Sequence, residues 1–261
     1  MNRNFKMVLQ YEGTRYNGWQ KQGNTSDTIQ GKLEQILERM AGEPVEVQGS
    51  GRTDAGVHAA GQTANFRLSD GFFRSRGLFR QEEAYLKSYL NRYLPDDIGV
   101  LSVEEVSERF HSRLSAERKT YLYQIETGEK QDVFQRRLSY HLGHSLDTEV
   151  MRLAAERLGG THVFRSFCGT RKMKKSTVRT LYSVDICQKP GSSLVTLSFT
   201  GNGFLQNMVR ILTGTLIEIG LGERDWRTVD DILRAKDRQA AGFTAPAEGL
   251  CLVQVIYEEM K

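Results

Sequence analysis

The sequence predicts an α+β fold built as two related halves that meet at a central cleft, with antiparallel and mixed sheet flanked by helices. Three observations lead there. Stretches that alternate apolar and polar residues, the mark of half-buried strands, occur in both halves of the chain. Segments of helical period lie between them without the strict strand–helix alternation of a parallel sheet. The chain has 261 residues, enough for two domains of ordinary size that bury their cores without disulfide or metal support.

Taken in order, residues 5–11 alternate as a strand. Residues 27–41 place Ile29, Leu33, Ile36, Leu37 and Met40 on one face of a helix, with Asp27 and Gln30 set as a capping box. Residues 45–49 and 62–68 read as strands on either side of a glycine-rich stretch. Residues 80–94 read as a helix stopped by Pro95, and 98–106 as a strand. The boundary between halves is expected at residues 103–109, giving domains 1–105 and 106–261. In the second half, 120–126 alternates as a strand and 147–158 forms a helix closed by Gly159-Gly160. Residues 181–187 and 194–200 form a hairpin around Lys189-Pro-Gly-Ser. Residues 203–220 make a strongly apolar, buried helix, 225–235 a surface helix, and 250–257 a last strand.

Composition narrows the function. With 36 Lys+Arg against 32 Asp+Glu the net charge is +4, low for a protein that coats nucleic acid non-specifically. Its distribution is uneven. Residues 1–104 carry 13 basic and 13 acidic side chains, residues 105–184 carry 15 and 9, and residues 185–261 carry 8 and 10. The middle therefore holds the excess (15 − 9 = +6). Within it, 161–184 contains Arg165, Arg171, Lys172, Lys174, Lys175 and Arg179 and no acid. That stretch is either a solvated basic loop or a surface facing a polyanion. Three scattered cysteines fit a reducing cytoplasm and form neither a disulfide framework nor a zinc knuckle. The N-terminus lacks an apolar secretory core, and no apolar run is long enough to cross a membrane, so no membrane association is expected.

One segment concentrates chemistry: Gly49-Ser-Gly-Arg-Thr-Asp-Ala-Gly-Val-His-Ala-Ala-Gly61. Its four glycines permit tight backbone paths and close ligand approach around Arg52, Asp54 and His58. Two readings of Asp54 stand at this point. It is an ionised nucleophile oriented by Arg52, needing no general base, or a turn-capping carboxylate beside a surface ion pair. Competing motifs are missing. There is no Walker A loop and, since Gln206 stands where a third glycine is required, no dinucleotide fingerprint. His141 and His144 have no Cys or carboxylate at metal-ligand spacing, and no Ser or Cys lies in a nucleophile elbow.

The string Gly51-Arg-Thr-Asp-Ala-Gly-Val-His58 resembles the signature of the tRNA pseudouridine synthase A family. The likeness continues in order along the chain: Tyr11-Glu-Gly-Thr-Arg-Tyr-Asn-Gly-Trp-Gln20, Thr28-Ile-Gln-Gly-Lys-Leu-Glu34, Asn91 to Pro95 with Asp97-Ile98, Phe110-His-Ser-Arg-Leu-Ser-Ala116, Lys119-Thr-Tyr-Leu-Tyr123, Phe204-Leu-Gln-Asn-Met-Val-Arg210 with Gly214, and Ala247-Glu-Gly-Leu250. Three departures are Ser112 where Ala is common, Thr120 where a second basic residue is common, and Gln206 where an aromatic or His is frequent.

The resemblance implies the pseudouridine synthase fold and the isomerisation of uridine on the 3′ side of a tRNA anticodon stem-loop, with no cofactor, metal or nucleotide. It implies a homodimer and tRNA as partner. It assigns Asp54 as the catalytic residue, attacking C6 of the base or C1′ of the ribose, and Arg52, Tyr121 and Arg210 as substrate-binding residues. An Arg inside an apolar helix needs a buried charge partner, and Asp54 is the partner expected for Arg210. Tyr123, on the same face as Tyr121, is expected in the core. The expected donors to the RNA backbone are Arg113, Arg118, Lys119, Arg171, Lys172, Lys174 and Lys175. The rival readings are a non-catalytic structured-RNA-binding protein, which leaves Asp54 unexplained, and a carboxylate hydrolase, for which no second acid accompanies Asp54.

Overall fold

The computed structural model describes residues 2–78, 80–171 and 176–258. The chain divides into two compact units, residues 1–117 with 252–261, and residues 118–251. The first unit opens with β1 (Asn2–Tyr11), whose inward positions Phe5, Met7 and Leu9 are fully buried. Next comes α1 (Ile29–Ala41), which presents Leu33, Ile36, Leu37 and Met40 to the core. Its cap is Thr28, whose Oγ1 accepts from Gly31 N at 3.2 Å; the expected capping box does not form. Asp27 instead pairs with Lys32, and Gln30 turns inward to Gln20 and the Val47 carbonyl.

β2 (Val47–Gly49) and β3 (His58–Ser69) follow, then α2 (Asp70–Ser75), α3 (Glu82–Tyr93) and β4 (Ile98–Val106). β1 lies between β4 and β3, antiparallel to both, and β2 pairs with β3. Phe5 stacks on Phe66 at 5.9 Å and meets Phe73 at 5.4 Å, so α2, too short for periodicity to reveal, supplies a core ring. The segment after β4 stays with this unit. Ser112 is fully buried, its N–H donates to Asn65 Oδ1 at 2.9 Å, and its hydroxyl donates to the Gln48 carbonyl. These bonds place the division at 117/118, later than the expected 105/106.

The second unit contains most of β5 (Ala116–Glu126), with β6 (Tyr140–His141) parallel to it, and then α4 (Thr148–Leu158) and β7 (Gly160–Val163). β8 (Val178–Gln188) and β9 (Leu194–Gly201) form the expected hairpin, and the strand order is β5-β9-β8-β7. α5 (Met208–Gly220) begins five residues later than its apolar composition suggests, because Asn207 caps it with φ 58° and 203–207 is irregular. Eleven of its residues are buried, which explains why it is apolar on every side. A Cβ on Gly214 would overlap the Phe243 carbonyl, so only glycine lets that chain cross the helix. α6 (Thr228–Ala235) buries one face through Val229, Ile232 and Leu233. β10 (Leu250–Tyr257) then runs back to the first unit, where it lies beside β3 and its Tyr257 hydroxyl donates to the Ser112 carbonyl at 2.7 Å. Among the described residues no helix is long and apolar enough to cross a membrane.

Candidate active site

Asp54 sits in the loop from β2 to β3, half-buried. Beneath the loop runs a buried polar network. Ser50 Oγ donates to Gln62 Oε1 at 2.6 Å, Gln62 Nε2 donates to the Gly51 carbonyl at 3.1 Å, and the Tyr11 and Thr53 hydroxyls bond at 2.8 Å. These groups satisfy each other in the interior, so the network holds one geometry. A register shift of β1 between Leu9 and Tyr11 lies where Tyr11 meets Thr53, an example of a bulge re-aiming a side chain beside a site.

The loop is also moulded from the side by residues 13–19. Trp19 N–H donates to the Thr53 carbonyl at 3.1 Å, and Gly56 N–H donates to the Tyr16 carbonyl at 3.3 Å, so Asp54 lies between two backbone bonds to one neighbouring loop. Gly18, at φ 86°, approaches so closely that a Cβ would stand 2.6 Å from the Thr53 carbonyl oxygen. A Cβ on Gly13 would overlap the Val57 carbonyl. His58, buried, takes Gly13 N–H on Nδ1 at 2.9 Å, so that nitrogen carries no proton. The Arg52 side chain is exposed and its Nε donates to Gln20 Oε1 at 3.0 Å.

The second unit holds the other expected residues. Tyr121 lies on β5, buried, with its ring edge-on to Phe204 at 5.1 Å. Tyr123 is a core residue as expected. It is fully buried and donates its hydroxyl to the Pro246 carbonyl at 2.7 Å, and burial pushes that hydroxyl's pKa well up. Arg210, in the first turn of α5, is half-buried. Its Nε donates to the Ala245 carbonyl at 2.6 Å while Ala245 N–H donates back to the Arg210 carbonyl at 3.0 Å, and Nη1 reaches Asn207 Oδ1 at 3.3 Å. The helix start and the 245 turn are thereby locked together. Close to Asn207, Gly169 N–H donates to the Gln206 carbonyl at 2.9 Å, and Arg165 donates to the Thr170 carbonyl at 2.7 Å and to the Arg171 carbonyl. Residues 165–171, at the start of the basic segment, are thus tied to one another and to the residues just before α5.

The expected backbone donors are spread over both units. Arg113 is exposed in the first. In the second, Arg118 is exposed with its guanidinium over the Tyr182 ring at 4.8 Å, Lys119 is half-buried, and Arg171 is exposed. Lys172, Lys174 and Lys175 lie outside the described residues. Arg179, not singled out from sequence as a donor, is half-buried beside Gly203, and burial lowers its pKa. Among the described residues no three His, Cys, Asp or Glu side chains are grouped to hold a metal. Sequence reasoning missed the mould itself. Gly13, Gly18 and His58 shape the Asp54 backbone, and although the 11–20 string and His58 stand out in the sequence, nothing there shows that they pack against residues 53–57.

The chain is similar to known proteins over most of its length. A family model described as tRNA pseudouridine synthase matches residues 7–114 and 154–258. A tRNA pseudouridine synthase A of a Bacillus species is 46% identical over 249 residues, covering 95% of this chain and 97% of that protein. A tRNA pseudouridine synthase A 2 of Bacillus cereus is 43% identical over 252 residues, covering 97% and 98%. A tRNA pseudouridine synthase A of a Geobacillus species is 42% identical over 259 residues, covering 99% and 100%. The Asp54 loop and both flanking strands fall inside the matched residues, as do Tyr16, Trp19 and Arg210. The chain belongs to the tRNA pseudouridine synthase family and is an enzyme of the isomerase class.

Proposed function

We propose that this enzyme converts uridine to pseudouridine in the anticodon stem-loop of tRNA, on its 3′ side at positions thirty-eight to forty, with Asp54 as the nucleophile. The observation that supports it is the fixed backbone on both sides of Asp54. A carboxylate carried on a backbone that a buried network underlies and two backbone bonds flank is pre-organised for attack, which a turn cap does not require. A target base in a stem must first be flipped out, at a cost of a few kcal/mol. Asp54 attacks C6 of the base or C1′ of the ribose, the C1′–N1 bond breaks, the base turns, C1′–C5 forms, and the bond to Asp54 breaks to restore the carboxylate. The proton lost from C5 is matched by one gained at N1, so the reaction is balanced without oxidant, nucleotide or metal. Arg52 orients Asp54 and keeps the flipped nucleotide's place open, Tyr121 stacks on the uracil, and Arg210 is a further substrate-binding residue.

Backbone contacts fall to Arg113, Arg118, Lys119, Arg171, Lys172, Lys174 and Lys175, which would supply much of the binding free energy. The enzyme acts as a homodimer in the cytoplasm. Asp54→Asn keeps size and hydrogen bonding but removes the nucleophilic charge. It is expected to bind tRNA like the wild type and to form no pseudouridine, read by mapping pseudouridine in anticodon stem-loops before and after incubation. Turnover by Asp54→Asn at the wild-type rate would overturn the assignment. Modification elsewhere in tRNA would overturn the position.

A further inference from the structure

Three candidates outside the site stand out. One is the row Phe72, Tyr85, Tyr89 and Tyr93 with Arg39 over the last ring. Another is the Arg118–Tyr182 stack. The third is the carboxylate of Asp97, and the observations carry it furthest. The first two have guanidinium groups already seated on their rings, and nothing bound to them shows what else they take.

Asp97 lies in the turn between α3 and β4, remote in sequence from Asp54. Its Oδ1 accepts the Tyr16 hydroxyl, its Oδ2 pairs with Arg15 Nη1 at 3.4 Å, and its carbonyl accepts Glu12 N–H at 3.0 Å. One residue therefore grips the mould loop at positions 12, 15 and 16. Tyr16 is buried, and its backbone continues the chain of contacts: its N–H donates to the Gly13 carbonyl at 2.9 Å, and its carbonyl accepts Gly56 N–H, two residues beyond Asp54. Burial and the neighbouring Asp97 raise the Tyr16 pKa, so the phenol stays a donor throughout the working pH range. A half-buried carboxylate with one oxygen on the Tyr16 hydroxyl and the other facing Arg15 of the same loop fixes that loop's height against the sheet. The loop in turn sets the path of Thr53 to Val57.

We propose that Asp97 is a positioning residue for the reaction, holding Asp54 in its attack geometry through Tyr16 and the 13–19 loop. The proposal rests on Asp54 being the nucleophile. It deepens that reading by naming what aligns the group. Misplacing a reacting atom by about 1 Å costs on the order of 100-fold in rate, so loosening the mould should act on turnover more than on RNA binding.

The test compares Asp97→Ala, Asp97→Asn and Tyr16→Phe in the full-length enzyme with a tRNA transcript. Asn keeps an acceptor oxygen for Tyr16, whereas Ala removes it. Expected are a fall in kcat of about 30-fold for Asp97→Ala and about 10-fold for Tyr16→Phe, with KM for tRNA within about 2-fold of wild type, and recovery to within about 3-fold in Asp97→Asn. Tyr16→Phe combined with Asp97→Ala should be no slower than Asp97→Ala alone, because both break one contact. A wild-type kcat in Asp97→Ala, or a loss that Asn does not restore, would overturn the proposal. So would a rise in KM equal to the fall in kcat. Asp54→Asn, run beside them, separates the two readings: if it turns over, the nucleophile is wrong, and if it is dead while Asp97→Ala is fully active, only the positioning role fails.

Discussion

The two units hold their functional side chains by different means. In the first, Asp54 rides on a loop whose shape comes from backbone bonds and from two glycines of another loop. In the second, Tyr121 and Arg210 project from a strand and a helix whose own ladders fix them, next to fully buried core residues. A regular element places a side chain by its period. A loop must be cast against something, and here the cast is the 13–19 segment. Mutations that leave every side chain of the site intact should therefore be able to disable the first region, while the second should fail mainly by losing stability.

A pair of glycine substitutions tests this contrast most severely. Gly13→Ala pushes a methyl into the Val57 carbonyl and is expected to cut turnover per folded molecule by about 100-fold, measured as kcat after correction for the folded fraction. Gly214→Ala pushes a methyl into the Phe243 carbonyl inside the helical core. It should cost about 1–3 kcal/mol of stability by denaturant unfolding while the surviving folded protein keeps its kcat. Equal effects of the two on kcat would break the comparison. A smaller test is Tyr123→Phe, which removes the hydroxyl bonded to Pro246. It should cost about 1 kcal/mol and leave the rate per folded molecule alone. The smallest effect is expected from Arg118→Ala, which should reduce the salt slope of tRNA binding by about one and leave the unfolding midpoint unchanged. An unchanged slope would show that Arg118 faces away from the RNA.

The degree to which each region was legible in the sequence follows the same division. Strands β1, β8, β9 and β10 and helices α1, α4 and α6 announce themselves by period, since burial on one face writes a repeat into the chain. The string from Gly51 to His58 shows where the chemistry lies. What does not show is contact between distant loops. Nothing local marks Asp97 as the partner of Tyr16, or Ser112 as the tie from 107–117 to β2 and β3. The late division at 117/118 stayed hidden because hydrogen bonds between residues 47 or more apart leave no periodic trace. The start of α5 was misread for the opposite reason. Apolar composition runs through Phe204 and Leu205, but Asn207 adopts a left-handed conformation that no helix interior accepts.

The return of β10 sets an order on the enzyme's birth. The sheet that carries the Asp54 loop takes a strand from residues that follow the whole second unit in sequence, packed so tightly that a Cβ on Gly61 would overlap the Val253 carbonyl. The first unit to leave the ribosome thus waits with an open edge beside β3 until the second unit has been translated. A message cut short after residue 251 yields a protein that retains every residue named in the site and lacks the strand that lies beside β3. Translation of β10, rather than emergence of the 49–61 loop, gives β3 its neighbour opposite β1 in this sheet.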